Sequence, residues 1–328
     1  MRLAVPAEVS PSALEGWRQD APLVDFSGET MGTTWRIKLA APPALDRAAL
    51  LGAVEARLEA ILAQMSHWRP DSVLGAFNRA AAGTWAVLPG DFAQVMQAAL
   101  AIAERSGGAF DPTIGALVNL WGFGPAPATE LPPDASTLAR AFAAAGFARL
   151  AFEPDTRRLR QPGGLHLDFS GIAKGFAVDA LGAVLHAHGC RHGLVEIGGE
   201  LLGRGFRPDC DPWWVDLETP TNEVPPLRVA LHEAAVATSG DYVRGRHTID
   251  PRTARPVEHA MAVSVLHGSA MMADGWATAL SVLAPPAMAR LALEEKLQVR
   301  ALVRTESGIR EWISPALAAL LVDETAPA

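Results

Sequence analysis

No stretch of about 18 or more residues in this chain is continuously apolar, which excludes a membrane-spanning helix. Basic clusters are missing as well. The 328 residues include 36 Asp and Glu against 28 Lys and Arg, a formal net charge of −8. That balance argues against a nucleic-acid binder, and it means that an anionic ligand has to be met by local groups and not by a global field. Cysteine is scarce. Cys190 and Cys210 could pair in an oxidising compartment or stay free thiols, and two residues are too few to decide. Neither lies near the start, so no acylation site for a lipoprotein anchor is present. The opening apolar run is too short for a signal peptide and is interrupted by Pro6 and Glu8. As written, the chain reads as cytoplasmic; a periplasmic place stays open if an export segment has been removed. There is no long linker and no internal repeat.

What is present suits a globular enzyme. Hydrophobic residues make up 49% of the chain, and its length allows one large domain or two modest lobes. Residues 1–22 read as a loosely ordered arm, and 23–320 as the main domain. Thr33, Trp35, Ile37 and Leu39 alternate as in a strand. "LDRAALLGAVEARLEAILAQMSHW" has helical periodicity, with Leu51, Val54, Leu58, Ile61 and Leu62 on one stripe. "GDFAQVMQAALAIAERSGG" is a second helix ending at a Gly pair suited to a left-handed cap. "LPPDASTLARAFAAAGF" is a third, with Asp134 or Ser136 as its N-cap. Further on, "HGLVEIGGELLGRG" reads as strand, glycine turn and strand, "AMMADGWATALSVL" as a helix and "VRALVRT" as a strand. Trp213-Trp214 opens another strand. Strands and helices mix without strict alternation, so the expected class is α+β.

The most informative stretch is "HLDFSGIAKGFAVDALGAVLHAHG", residues 166–189. A short alternating run ends in Asp168. A helix then begins with Lys174 in its first turn, buries Ile172, Phe176, Ala177, Ala180, Leu181, Val184 and Leu185, and closes at Gly189. A helix start carries partial positive charge, so a lysine there needs a negative partner. The spacing is not that of a P-loop. Small residues ahead of a helix still let backbone approach a phosphate, whose charge Lys174 would offset; the alternative is a lysine that snorkels at the surface.

Asp274 and Thr278 are four apart on a helix and so share a face. Both offer hard oxygen donors that suit Mg²⁺, though a solvated helix acid beside a packed threonine would look the same. His247, before a Pro/Thr turn, has the side chain most often used as a base near neutral pH, and equally that of a structural histidine. The glycine-rich aromatic loop Trp121–Gly124 could cover a planar ligand or simply pack. His186, His188, Cys190 and His192 tempt one towards zinc, but residues two apart on a helix face different sides.

No single motif settles the function, but their order does. "MGTTWRI", "MSHWRPDSVLGAFN", "GGAFDPTIGALVNLWGFGP", "LDFSGIAKGFAVD", "LVEIGGELLGRG", "ATSGDYVR", "HTIDPRTARP" and "ADGWATAL" occur in the order found in the ApbE family, and the resemblance runs from about Met31 to about Leu283. The chain thus resembles FAD:protein FMN transferases. The resemblance implies an α+β fold of mixed sheets and packed helices, with the FAD site in a cleft between two lobes. It implies a Mg²⁺-dependent enzyme that splits FAD, transfers FMN to a threonine or serine hydroxyl of an acceptor protein and releases AMP. Carried over by position, Met31, Ala109, Phe110, Asp111, Asp168, Lys174 and Ile249 would contact FAD. The Gly171 carbonyl, Asp274 and Thr278 would hold Mg²⁺, and His247 would be the base for the acceptor hydroxyl. Asn78 lies in a segment near the flavin in relatives. Many relatives are exported lipoproteins, and a periplasmic target is not expected here unless the start of the sequence has been trimmed. Two alternatives stand beside transfer: FAD pyrophosphatase activity giving FMN and AMP, and flavin binding without catalysis.

Overall fold

The computed structural model describes residues 1–6, 8–125, 132–242 and 245–322. Leu131 of the third helical stretch, and Val243 and Arg244 of "ATSGDYVR", lie outside them.

An eight-stranded antiparallel sheet organises the molecule. From edge to edge it runs Gly308–Ile313, Gln298–Thr305, Ala260–His267, Glu233–Gly240, Glu200–Arg204, Gly193–Ile197, Thr33–Ala40 and Leu23–Thr30. Alternation along each strand sends its side chains to opposite faces. Val263 and Val265 therefore face the helices, while Leu266, next in line, faces the other way. Two helices, Ala173–Ala187 and Ala270–Val282, lie directly on the sheet and against each other, and Arg47–Met65 and Gly90–Arg105 pack outside them. The helix Ala270–Val282 is consequently buried almost all round, which its Ala- and Gly-rich sequence permits. On the opposite face lies a small sheet in the order Leu321–Val322, Arg2–Ala4, Leu227–Leu231, Trp213–Asp216. It closes a second apolar cluster with Trp213, Val229, Leu231 and Leu266. The class is α+β.

Local signals act as expected at most ends. Asp134 caps Ala135–Ala144 by accepting from Ser136 and Thr137 N–H groups. Gly107 and Gly108, at φ 60° and 78°, end Gly90–Arg105. Gly189, at φ 76°, ends Ala173–Ala187. Two readings are corrected. The buried stripe of Arg47–Met65 is Leu50, Val54, Leu58, Ile61 and Met65, whereas Leu51 and Leu62 are only half-buried. Adjacent apolar pairs at 50–51 and 61–62 make either stripe fit the helical period, and packing chooses. Arg2–Ala4, read as part of a loose arm, is a strand paired in parallel with residues 227–229. Cys190 is buried and Cys210 exposed, and both are free thiols. The two His192 ring nitrogens are occupied by backbone, Nε2 at 3.1 Å from Glu15 O and Nδ1 accepting from Phe206 N–H at 3.1 Å.

Candidate active site

A cleft of about 240 Å³ brings together ten of the eleven residues singled out above. Ala109, Phe110, Asp111, Asp168, Gly171, Lys174, His247, Ile249, Asp274 and Thr278 all line it. Met31 does not. It sits at a two-residue strand turn with φ 51°, half-buried against the main core, and Thr33 two residues on lines the cleft instead. One wall is the main sheet with its two inner helices. The other is a satellite cluster of Leu117, Val118, Ile249 and Ala254.

The first wall is built by close helix contact. The N–H of Gly175, in the first turn of Ala173–Ala187, donates to Asp274 Oδ2 at 3.0 Å. One helix's carboxylate thus satisfies the start of the other, which has no side-chain cap of its own. A Cβ at residue 175 would stand 2.2 Å from Ala270 O and 2.8 Å from Asp274 Cβ, so only glycine allows this approach. One turn along, Thr278 Oγ1 donates to the Gly171 carbonyl at 3.3 Å. A carbonyl, a carboxylate and a hydroxyl therefore converge. All three are hard oxygen donors, the set that Mg²⁺ takes along with waters and phosphate oxygens.

Lys174 finds its negative partner in Glu200, with which it forms an ion pair. Glu200 is 2% exposed, and its Oε2 is buried with no hydrogen-bond partner. Burial pushes its carboxyl up, the Lys174 ammonium pulls it back, and the Asp274 charge pushes it up again. Burial likewise raises Asp274, against Lys174 and the Gly175 N–H. Residue reasoning missed Glu200, although it stands in the quoted "LVEIGGELLGRG". What hid it was distance: strand pairing, not a local motif, carries it to the helix start.

Asp111 and Asp168 act first on their own turns. Asp111 Oδ1 accepts from Thr113 N–H and Oγ1 at 2.8 and 2.6 Å, and Oδ2 from Phe147 N–H at 3.0 Å. Burial nonetheless raises its carboxyl, these hydrogen bonds opposing it. Asp168 Oδ1 accepts from Ser170 N–H at 2.7 Å and from Ser170 Oγ at 2.5 Å. Asn78 braces the segment before Asp168, donating to Leu167 O at 3.0 Å and accepting from Leu167 N–H at 2.7 Å.

On the second wall, Ile249 is 3% exposed and belongs to the satellite cluster. The Trp121–Gly124 loop packs on the same unit: the Trp121 indole N–H donates to Ala254 O at 2.9 Å. His247 is half-buried, in edge contact with Phe123 at 6.2 Å between ring centroids, and its Nδ1 lies 2.9 Å from Gly245 O. Tyr242, the single tyrosine of the chain, also lines the cleft. Burial keeps its phenol protonated, reinforced by the Glu218 and Glu200 charges. The motif "ATSGDYVR" by itself assigns its tyrosine no role.

The ApbE family model matches residues 31–303. A curated FAD:protein FMN transferase of Vibrio cholerae serotype O1 is 35% identical, over 96% of this chain and 97% of its own length. The solved flavin transferase ApbE from Vibrio cholerae superposes with a TM-score of 0.85 at 34% identity, covering 92% of this chain and 99% of that one. The flavinyl transferase ApbE of Pseudomonas stutzeri, in its apo form, gives 0.85 at 36% identity over 91% and 96%. With one family model spanning most of the chain and relatives alike along nearly their whole lengths, the chain belongs to the ApbE family.

Proposed function

We propose that this protein is an FAD:protein FMN transferase that attaches FMN through a phosphoester bond to a threonine or serine hydroxyl of an acceptor protein. The observation that carries this reading is the convergence in one cleft of a lysine at a helix start, a set of three hard-oxygen donors and a histidine. Lys174 and the start of the Ala173–Ala187 helix face the diphosphate, while Asp168, Ala109, Phe110, Asp111 and Ile249 bind the rest of FAD. The Gly171 carbonyl, Asp274 and Thr278 hold Mg²⁺, which when bound offsets diphosphate charge and stabilises the leaving AMP. Those oxygens and an acidic surround fit such an ion.

His247 takes the proton of the acceptor hydroxyl. That oxygen forms the new bond to the FMN phosphorus, and the bond from this phosphorus to the AMP oxygen breaks. Phosphoryl transfer of this kind depends on positioning and charge neutralisation, so the chain's main task is to hold two reactants in line.

The test is incubation with FAD and Mg²⁺, with and without a threonine-bearing acceptor peptide. Covalently flavinylated peptide together with AMP supports transfer. AMP and free FMN with the peptide left unmodified marks a pyrophosphatase, and FAD binding without AMP release marks a flavin-binding protein. Either of the last two overturns the proposal.

A further inference from the structure

Charge within the cleft is lopsided. Among its described lining residues Lys174 is the one lysine or arginine, against Asp111, Asp168, Glu200 and Asp274. The imbalance is sharpest where burial is deepest. Glu200 and Asp274 are 2% and 5% exposed, and both meet the start of the Ala173–Ala187 helix, Glu200 pairing with Lys174 and Asp274 accepting from the N–H of the next residue, Gly175. Glu200 binds Lys174 through Oε1, while its Oε2 has no partner. Two buried carboxylates and one ammonium thus line the same stretch of cleft, where an uncompensated charge is costly. A cation on the Asp274 side reverses that deficit.

We propose that Glu200 is a positioning residue for the metal: it engages the Lys174 ammonium and supplies the second carboxylate that makes the buried cluster favour a divalent cation at Asp274. The proposal rests on the reading of Gly171, Asp274 and Thr278 as the metal site. Glu200 and Lys174 act in opposition. Removing the carboxylate weakens the cation's hold, removing the ammonium strengthens it, and removing both restores the balance.

Mn²⁺ binding to the full chain, measured without flavin by electron paramagnetic resonance of the free ion, tests this, with a thermal melt of each variant as a fold check. Glu200→Gln is expected to bind Mn²⁺ at least about tenfold more weakly, as when outer partners of metal ligands are lost. Lys174→Met is expected to bind severalfold more tightly, and the double variant to return to within about threefold of wild type. A purely structural Glu200 would lower the melting temperature and leave the Mn²⁺ affinity of the folded protein unmoved, which overturns the proposal. So does a double variant as weak as Glu200→Gln alone. If Glu200→Gln does not fold, Lys174→Met decides by itself, an unchanged affinity counting against the proposal. Asp274→Asn separates the two levels. Lost binding there with wild-type affinity in Glu200→Gln overturns this proposal alone; wild-type affinity in Asp274→Asn, or no Mn²⁺ binding by the wild type, overturns the metal-site reading and this proposal with it.

Discussion

A threonine hydroxyl is a poor nucleophile near neutral pH, and a positioned base contributes about 10²–10⁴-fold. His247 Nδ1 lies 2.9 Å from the Gly245 carbonyl, which can only accept. The proton of this bond therefore sits on Nδ1, and in the neutral ring that leaves Nε2 as the basic nitrogen, the tautomer a base requires. His247→Ala is expected to lower FMN transfer at least about a hundredfold while FAD affinity changes little. Near wild-type transfer would remove His247 from the mechanism, and loss of FAD binding or melting temperature first would make it a brace for its turn. Tyr242 offers a neutral donor in an acidic cleft, useful to an anionic ligand because it brings no counter-charge to desolvate. Tyr242→Phe should cost about tenfold or more in kcat/KM for FAD, the value of one hydrogen bond to a charged group, with the melting temperature held. At this scale the sequence was legible where a motif is local. Asp274 and Thr278 share a helix face, and Lys174 sits in a first turn. Glu200 was not legible, because its position comes from strand register.

Helix packing sets the site's tolerance. The Ala173–Ala187 and Ala270–Val282 helices meet so closely that a methyl at residue 175 would collide with the Ala270 carbonyl, which is backbone and cannot swing away. Gly175→Ala is expected to cost about 1–3 kcal/mol or more through overpacking. It should also weaken metal binding, because the same contact aims Asp274. Gly52 is the control. It is exposed inside Arg47–Met65, and a Cβ there meets nothing within 4 Å. Gly52→Ala should stabilise the fold by about 0.5–1 kcal/mol. Urea denaturation of both variants checks the contrast, and equal effects would mean that helix propensity and not the close approach governs Gly175. Helix ends were the elements best read from sequence, since Asp134 and the Gly107-Gly108 and Gly189 signals act within a few residues. The Arg2–Ala4 strand was unreadable for the opposite reason: three residues carry no period, and their partners lie more than two hundred positions away.

Across the whole molecule, that short strand joins the start of the chain to the sheet edge. The Arg2 guanidinium donates to both Glu311 oxygens at 2.7 Å, and Arg300 Nε donates to Glu311 Oε1 at 2.7 Å. Arg300 is 1% exposed and also reaches Thr219 Oγ1 at 2.7 Å and Pro225 O at 3.0 Å. One carboxylate therefore holds the chain's first strand, the 217–225 loop and the main sheet together. Burial pushes Glu311 up, but the hydrogen bonds and charges of Arg2 and Arg300 outweigh it and leave the carboxyl below its ordinary value of 4.5. A carboxyl lowered on folding adds stability that is complete above its unfolded value and is lost as pH falls through the folded one. Glu311→Gln, which leaves the buried Arg300 without its counter-charge, should cost about 3–5 kcal/mol at neutral pH. Since protonation removes the same charge from the wild type, the gap between the two proteins should narrow steadily once pH drops below 4.5. Urea midpoints at pH 7 and at about pH 3 measure it, on either side of the ordinary carboxyl range. A gap of equal size at both would mean that shape at Glu311, and not its charge, ties the N-terminal strand to the sheet.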